Sequence, residues 1–414
     1  MEKLVPRLRF PGFEGEWDLK KLGDITTWAS GGTPPKDESQ YWNGNIPWIS
    51  ASTMRGLEYS NSHLKLSEAG VKKGSKIAKV DSLLLLVRGS MLFNKIPIGI
   101  VTKDVAFNQD VKSIVVDIES ATSKYILSWF IANEPLLLEM VTGTGIGAGK
   151  LDLTELKNLN ILLPSIDEQT KISLLITSVE NRLESLKQKK TLLEKYKKGM
   201  MQQIFSQEVR FKDDDGGDFG EWENLALSEI GFTYGGLSGK SGEDFGEGKP
   251  YIQYKQIFDD SKIDSRRFGY VAIKENENQN SVRYGDTFFT TSSETANEVA
   301  YSSVLLENVD ELYLNSFCFG FRPNSLEQLR PEFAQFLFRS KSFRDEVIKL
   351  AQGSTRYNIS KVQLLKTIVA LPTAKEQTKI ANFLSAIDDK IALVGKEIAG
   401  VEMWKKGLLG EMFV

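Results

Sequence analysis

The chain has almost none of the residues that build metal or redox chemistry: one cysteine, Cys318, and one histidine, His63, in 414 residues. A disulfide framework and a Cys/His zinc cluster are thereby excluded. Cys318, between Phe317 and Phe319, reads as a small buried residue, and His63, without a partner motif, as an ordinary surface or core histidine. Long apolar runs are missing too. The longest aliphatic stretch, Leu83 to Val87, is far short of the ~20 apolar residues of a membrane helix, and the opening MEKLVPRLRF holds no apolar signal core. A cytoplasmic protein with no membrane contact is the expectation. Net charge is only −3, which argues against a nucleic-acid partner unless basic patches are local.

Catalytic signatures are absent as well. There is no Asn-Pro-Pro-aromatic tetrad and no G-x-G loop after a strand, as base methylation would need. The run from Gly143 to Lys150 invites comparison with a phosphate cradle but fits neither G-x-G-x-x-G nor G-x-x-x-x-G-K-[ST]. It reads as a flexible loop that approaches a backbone. Gly235 to Ser241 fails the same test by one residue.

What the chain does have is a long-range repeat. LPSIDEQTKI, Leu163 to Ile172, returns as LPTAKEQTKI, Leu371 to Ile380, and the helical runs that follow end in KKGMMQQIF at Phe205 and KKGLLGEMF at Phe413. Partners lie 208 positions apart throughout, so a helix of fixed length is written twice. Upstream the match is looser: Gly15-Glu16-Trp17 returns as Gly220-Glu221-Trp222, and Asp81 is matched with Asp286 at an offset of 205. Between these anchors the copies diverge, as expected of two different reading heads on one frame.

Within each long helix apolar residues recur every seven positions. Ile172, Val179, Leu186, Leu193 and Met200 form one seam; Ile380, Ile387, Val394, Val401 and Leu408 form the other. Ile176, Leu183 and Ile204, and Leu384, Ile391, Ile398 and Met412, supply the second heptad position. This is a coiled-coil pattern, and the simplest partner of each helix is the other. Elsewhere, β-branched runs such as Ser113 to Val116 alternate with turn signals, and helices are expected over Ser123 to Met140 and Glu332 to Leu350.

The fold expected is therefore α+β: two mixed α/β domains joined by two long antiparallel coiled-coil helices, with an internal pseudo-twofold repeat. The boundaries read as a first globular domain at 1–163, a first long helix at 164–210, a linker at 211–221, a second globular domain at 222–371 and a second long helix at 372–414. Local basic patches exist despite the acidic average, with seven Lys/Arg against two Glu between Arg182 and Lys198.

The duplicated L-P-x-x-x-E-Q-x-K-I helix start, the Gly-Glu-Trp opening of each half, Ser30-Gly31-Gly32-Thr33-Pro34 and Pro47-Trp48-Ile49 together resemble the specificity (S) subunit of type I restriction-modification systems. The resemblance spans both halves. It implies two target-recognition domains, at opposite ends of the helix pair, each reading one half of a bipartite, asymmetric site in double-stranded DNA. It also implies two methyltransferase (M) subunits carrying S-adenosylmethionine and restriction (R) subunits using ATP and Mg, with no cofactor, metal or catalysis in this chain.

Base reading needs donors and acceptors on groove-facing loops. The candidates are Ser30, Arg55, Arg88, Ser90, Asn94 and Thr144 in the first half, and Lys240, Gln253, Tyr254, Lys255, Ser292, Ser293, Arg356, Tyr357 and Asn358 in the second. Arg88-Gly89-Ser90 and Ser293-Glu294-Thr295 are matched at 205, and Gly145 with Gly353 at 208. A competing reading is a non-catalytic coiled-coil adaptor presenting two protein-binding domains, which the pI of 5.7 suits. A fused methyltransferase has no room once both heads are assigned.

Overall fold

The computed structural model describes residues 5–145 and 147–413, so Ile146, within the glycine run, and the outermost residues lie outside it. The chain folds as two compact units, Met1–Lys187 with Glu397–Val414, and Gln188–Lys396. Each therefore contains a stretch of both long helices, Ile166–Phe205 and Ala374–Met412.

In the first unit a five-stranded sheet runs in the order Thr26–Ser30, Val111–Val116, Leu83–Leu86, Ile98–Val101, Glu58–Tyr59. The central strand Leu83–Leu86 is buried along its whole length, which is why four consecutive leucines suit it. A second, four-stranded sheet carries Ile46–Ile49 and Val105–Phe107. The second unit repeats the plan with a four-stranded sheet ordered Gly231–Gly235, Cys318–Pro323, Thr287–Thr290, Ser302–Val304. In both units a short strand that follows Gly-Glu-Trp pairs antiparallel with the strand leading into a long helix: Asp18 opposite Leu163, and Glu223 opposite Leu371.

The end of one long helix completes the core around the start of the other. Leu408 and Met412 pack with Trp17, Tyr125, Ile172, Ile176 and Val179 in the first unit; Ile204 and Phe205 pack with Trp222, Phe333, Ile380 and Leu384 in the second. Tyr125 stacks on Phe413 at 5.8 Å, and Phe333, 208 positions later, lies 5.6 Å from Phe205, likewise 208 from Phe413. Burying one such ring contributes about 2 to 3 kcal/mol.

Two expectations change. The helix expected over Ser123 to Met140 is two, Ser123–Ala132 and Glu134–Glu139, because Pro135 has no N–H to donate into the preceding turn and Asn133 leaves helical geometry. Likewise Glu332 to Leu350 is divided into Pro331–Leu337 and Lys341–Ile348, the second restarted by the Ser340 side chain accepting from the Phe343 amide. The partner of Asp81 is also not Asp286. Asp81 and Gly285 make the same backbone contacts, their amides donating to Val101 and Leu305 respectively, and both hold positive φ, 68° and 86°. The strands are matched at 204, one residue from the sequence alignment.

Candidate nucleic-acid interface

The duplicated Glu-Gln pair anchors each long helix to its own unit. Glu168 is fully buried and accepts from Arg9 through both oxygens, at 2.7 and 2.8 Å; Arg9 also donates to the Gly15 carbonyl. Glu376 is held the same way by Arg210, at 3.2 and 2.8 Å, while Arg210 donates to the Gly220 carbonyl. The neighbouring glutamines tie the helix start to the head. Gln169 accepts from the Thr122 amide and donates to Ser120 and Pro164; Gln377 accepts from the Arg330 amide and donates to Gln328 and Pro372. Both motifs thus act in positioning the helix starts.

The seam residues divide by burial. Ile172, Val179, Leu186, Ile380, Ile387, Val394 and Leu408 are buried, whereas Leu193, Met200 and Val401 are half-buried. Ion pairs join the two long helices within each unit. Lys405 meets Glu180 at 2.5 Å in the first, and Lys197 meets Asp388 at 2.6 Å in the second; each residue of one pair is 208 positions from its counterpart in the other.

Above these foundations each unit presents a small ladder. Arg88–Gly89 continues the buried strand Leu83–Leu86 and pairs with Gly149–Lys150, Arg88 opposite Lys150. Gly149 in turn pairs with Gly143 across a hairpin whose tip is closed by the Thr144 amide and hydroxyl, both donating to the Ala148 carbonyl at 2.7 and 2.8 Å. In the second unit Ser292–Ser293 pairs with Tyr357–Asn358, and Asn358 closes a hairpin onto Gln352. The Leu151 amide donates to Val87 and the Ile359 amide to Thr291, so both hairpins leave the sheet at the same point.

The structure gathers some of the sequence candidates here and not others. Arg88 lies in the first ladder, Ser90 begins the turn that follows it, and Thr144 closes the hairpin tip; Arg88 and Ser90 are exposed. Tyr254, Ser292, Ser293, Arg356, Tyr357 and Asn358 meet at the second: the Tyr254 hydroxyl donates to the Ser292 carbonyl at 2.6 Å, and partial burial raises its pKa. Ser292 and Ser293 are themselves buried, with the Ser293 hydroxyl donating to Thr295, so they form the floor of the ladder and leave exposure to Arg356 and Asn358. Exposed Gln253 precedes the short helix Tyr254–Asp259, whose exposed Lys255 pairs with Asp259.

Others lie apart. Ser30 ends an edge strand and accepts from Lys112 at 2.7 Å. Asn94 closes the turn after Phe93, and Arg55 lines a groove of about 660 Å³ with Tyr59, Lys95, Lys124 and Glu180. Lys240 is a correction: its side chain is only 3% exposed, and its ammonium is committed to Glu277 at 2.5 Å and to the Ala272 carbonyl. A residue read as a groove contact is an internal clasp. Lys150 was missed, because only strand pairing sets it beside Arg88.

Among the described residues no group of three or more His, Cys, Asp or Glu side chains is placed to hold a metal, and no helix is long and apolar enough to cross a membrane.

A family model described as the type I restriction modification DNA specificity domain matches the chain twice, over residues 14–195 and 220–403. The chain is similar to the EcoR124I/EcoR124II specificity subunit of Escherichia coli, 33% identical over 38% of this chain and 40% of that protein. It is 24% identical to the MjaVIII specificity subunit of Methanocaldococcus jannaschii over 95% of this chain and 91% of that one. Among solved structures, the S subunit from M. genitalium superimposes with a TM-score of 0.60 at 15% identity, covering 99% of both chains. A chain from a structure of type I restriction-modification complex assembly gives 0.53 at 16% identity, covering 97% of this chain and 98% of that one.

Proposed function

Because the chain belongs to the family of type I restriction-modification specificity subunits, we propose that it is the DNA-reading subunit of such a complex, each unit reading one half of a bipartite, asymmetric site. The observation that carries this reading is the duplication of an identical anchor under two divergent heads: Arg9–Glu168 and Arg210–Glu376 hold equivalent helix starts, while the ladders present Arg88 and Lys150 in one unit and Tyr254, Arg356 and Asn358 in the other. Different side chains on one frame read different bases.

The long helices serve as spacer. With 40 and 39 residues at ~1.5 Å each, either extends ~60 Å, ample to set two heads on major-groove faces that recur every ~34 to 36 Å. In this reading the chain is not itself an enzyme and needs no cofactor of its own. Two methyltransferase subunits bring S-adenosylmethionine and the chemistry at adenine, and restriction subunits bring ATP and Mg. Partner subunits also supply phosphate-binding charge, which makes the net charge of −3 tolerable.

The test is to co-express the chain with its methyltransferase and map methylated adenines across the host genome. Two different half-sites separated by a constant unread gap are expected. Absence of any such motif, with no salt-dependent DNA binding by the purified complex, supports the adaptor reading instead.

A further inference from the structure

We propose that the groove of the first unit is a receptor for a guanidinium group, filled by an arginine side chain of a partner chain, because the second unit fills the equivalent space with an arginine of its own. The proposal rests on the reading above only for the partner, which is then the methyltransferase.

The second unit shows what fits. Arg339, just past the helix Pro331–Leu337, donates to the backbone carbonyls of Ser302 at 2.8 Å, Ile257 at 2.9 Å, Phe258 at 3.1 Å and Asp260 at 2.7 Å. Its guanidinium also lies 5.3 Å from the centre of the Tyr301 ring. A guanidinium is planar and weakly hydrated and holds five N–H donors in a fixed fork, so it satisfies several converging carbonyls at once.

The first unit has the same frame without that side chain. The Thr122 and Arg330 amides donate to Gln169 and Gln377, which matches the two segments at 208 and sets Ile131 in the place of Arg339. The Ile100 amide donates to Leu57 and the Val304 amide to Ser261, which matches the strand edges at 204. By that offset the counterparts of Phe258, Asp260 and Ser302 are Met54, Gly56 and Ile98. All three line the groove of about 660 Å³, and so does Ile131. An isoleucine side chain has nothing to donate, so the space that a guanidinium takes in one unit is groove in the other.

A second observation points the same way. Tyr59, also on the groove wall, is 3% exposed, and its hydroxyl is buried with no hydrogen-bond partner among the described residues. Buried hydroxyls are nearly always bonded, and an orphan carries its full desolvation cost. A guanidinium N–H supplies a donor to it. Net charge is not what recognises the group, since carbonyls hold Arg339 and a second cation, Arg344, lies over the same Tyr301 ring at 4.9 Å. At the groove Arg55, Lys95 and Lys124 are exposed and screened by solvent, while Glu134, three residues after Ile131, adds a carboxylate to the wall.

The experiment titrates the full-length chain with methylguanidinium and, separately, with methylammonium, reads uptake by saturation-transfer NMR, and measures assembly with the methyltransferase in parallel. The wild-type chain should take up methylguanidinium in preference to methylammonium. Ile131→Arg, which gives the first unit the arginine that the second already has, should abolish that uptake and weaken assembly about tenfold or more, with the melting temperature at or above the wild-type value. Ile131→Met, similar in bulk and without a donor, should change neither. Methylguanidinium should also loosen the wild-type complex where methylammonium at the same ionic strength does not, an arm that needs no variant to fold. Equal uptake of the two ions, or none, would overturn the proposal. So would an Ile131→Arg chain that loses uptake yet assembles like the wild type, because the arginine then does not come from the partner. A wild-type complex that methylates no bipartite motif refutes the underlying function, and uptake by the chain alone, which does not depend on that function, tells the two failures apart.

Discussion

Arg210 holds Glu376 through two hydrogen bonds, at 3.2 and 2.8 Å, and the indole N–H of Trp222 donates to the same carboxylate at 3.2 Å. Glu376 has no exposed surface, whereas Arg210 reaches solvent along one side. The carboxylate therefore depends on this guanidinium for most of its compensation, and its removal leaves a charge buried without a counterion.

Arg210→Ala should destabilise the second unit by about 3 kcal/mol, since breaking a buried pair from one side costs far more than the pair contributes net. Arg9→Ala should do the same to the first unit, where Arg9 is the twin. Thermal melts by calorimetry check this: each variant should lower one transition, and equal stability to the wild type would remove the anchor from the account.

Cys318 offers a probe confined to the second unit. It is 2% exposed, and burial pushes its thiol well above the ordinary range. The thiolate is the reactive form, so a raised pKa keeps the nucleophile scarce at neutral pH and still scarce at pH 9. Labelling with a maleimide should be slow at both values and become fast only on unfolding; Arg210→Ala should accelerate it and Arg9→Ala should not. Rapid labelling of the wild-type protein at pH 9 contradicts the burial.

The seam should be uneven. Leu186 and Val394 are 2% exposed, so Leu186→Asp or Val394→Asp buries a carboxylate without a partner at a cost of at least about 3 kcal/mol. Leu193→Asp, at a half-buried position, should cost much less. Urea titrations of the three variants, together with assembly on the methyltransferase, rank them; equal losses at all three positions would mean that the seam is not where the heptads place it.

The spacer reading predicts that gap length follows helix length. Glu180 and Lys197, and Asp388 and Lys405, are each separated by 17 residues, so the ion pair in each unit tolerates lengthening only if both helices gain the same number. Four residues inserted after Lys190 and four after Ile398 add ~6 Å and little more than one helical turn. The gap should lengthen by one or two base pairs with both half-sites unchanged, because duplex DNA advances ~3.4 Å per base pair. Methylated-adenine maps from cells carrying the double insertion decide it, and a constant gap defeats the model.

The repeat, the long helices and the α+β class were legible in the residues because helical heptads and the L-P-x-x-x-E-Q-x-K-I start are local patterns, written within a few turns of chain. Ile172, Val179, Ile380 and Ile387 needed only their spacing to be recognised as buried. What the sequence did not carry is pairing between distant segments. Whether Asp81 matches Asp286 or Gly285 depends on which carbonyl its amide reaches, and a strand slips by one residue without changing its composition. Lys240 reads as a free cation until the chain returns 37 positions later with Glu277, and Lys150 reads as a loop lysine until a ladder sets it opposite Arg88. Helix periodicity is a property of neighbours in sequence, so the chain determined its frame; the binding face is assembled from residues whose proximity exists only after the sheets have closed.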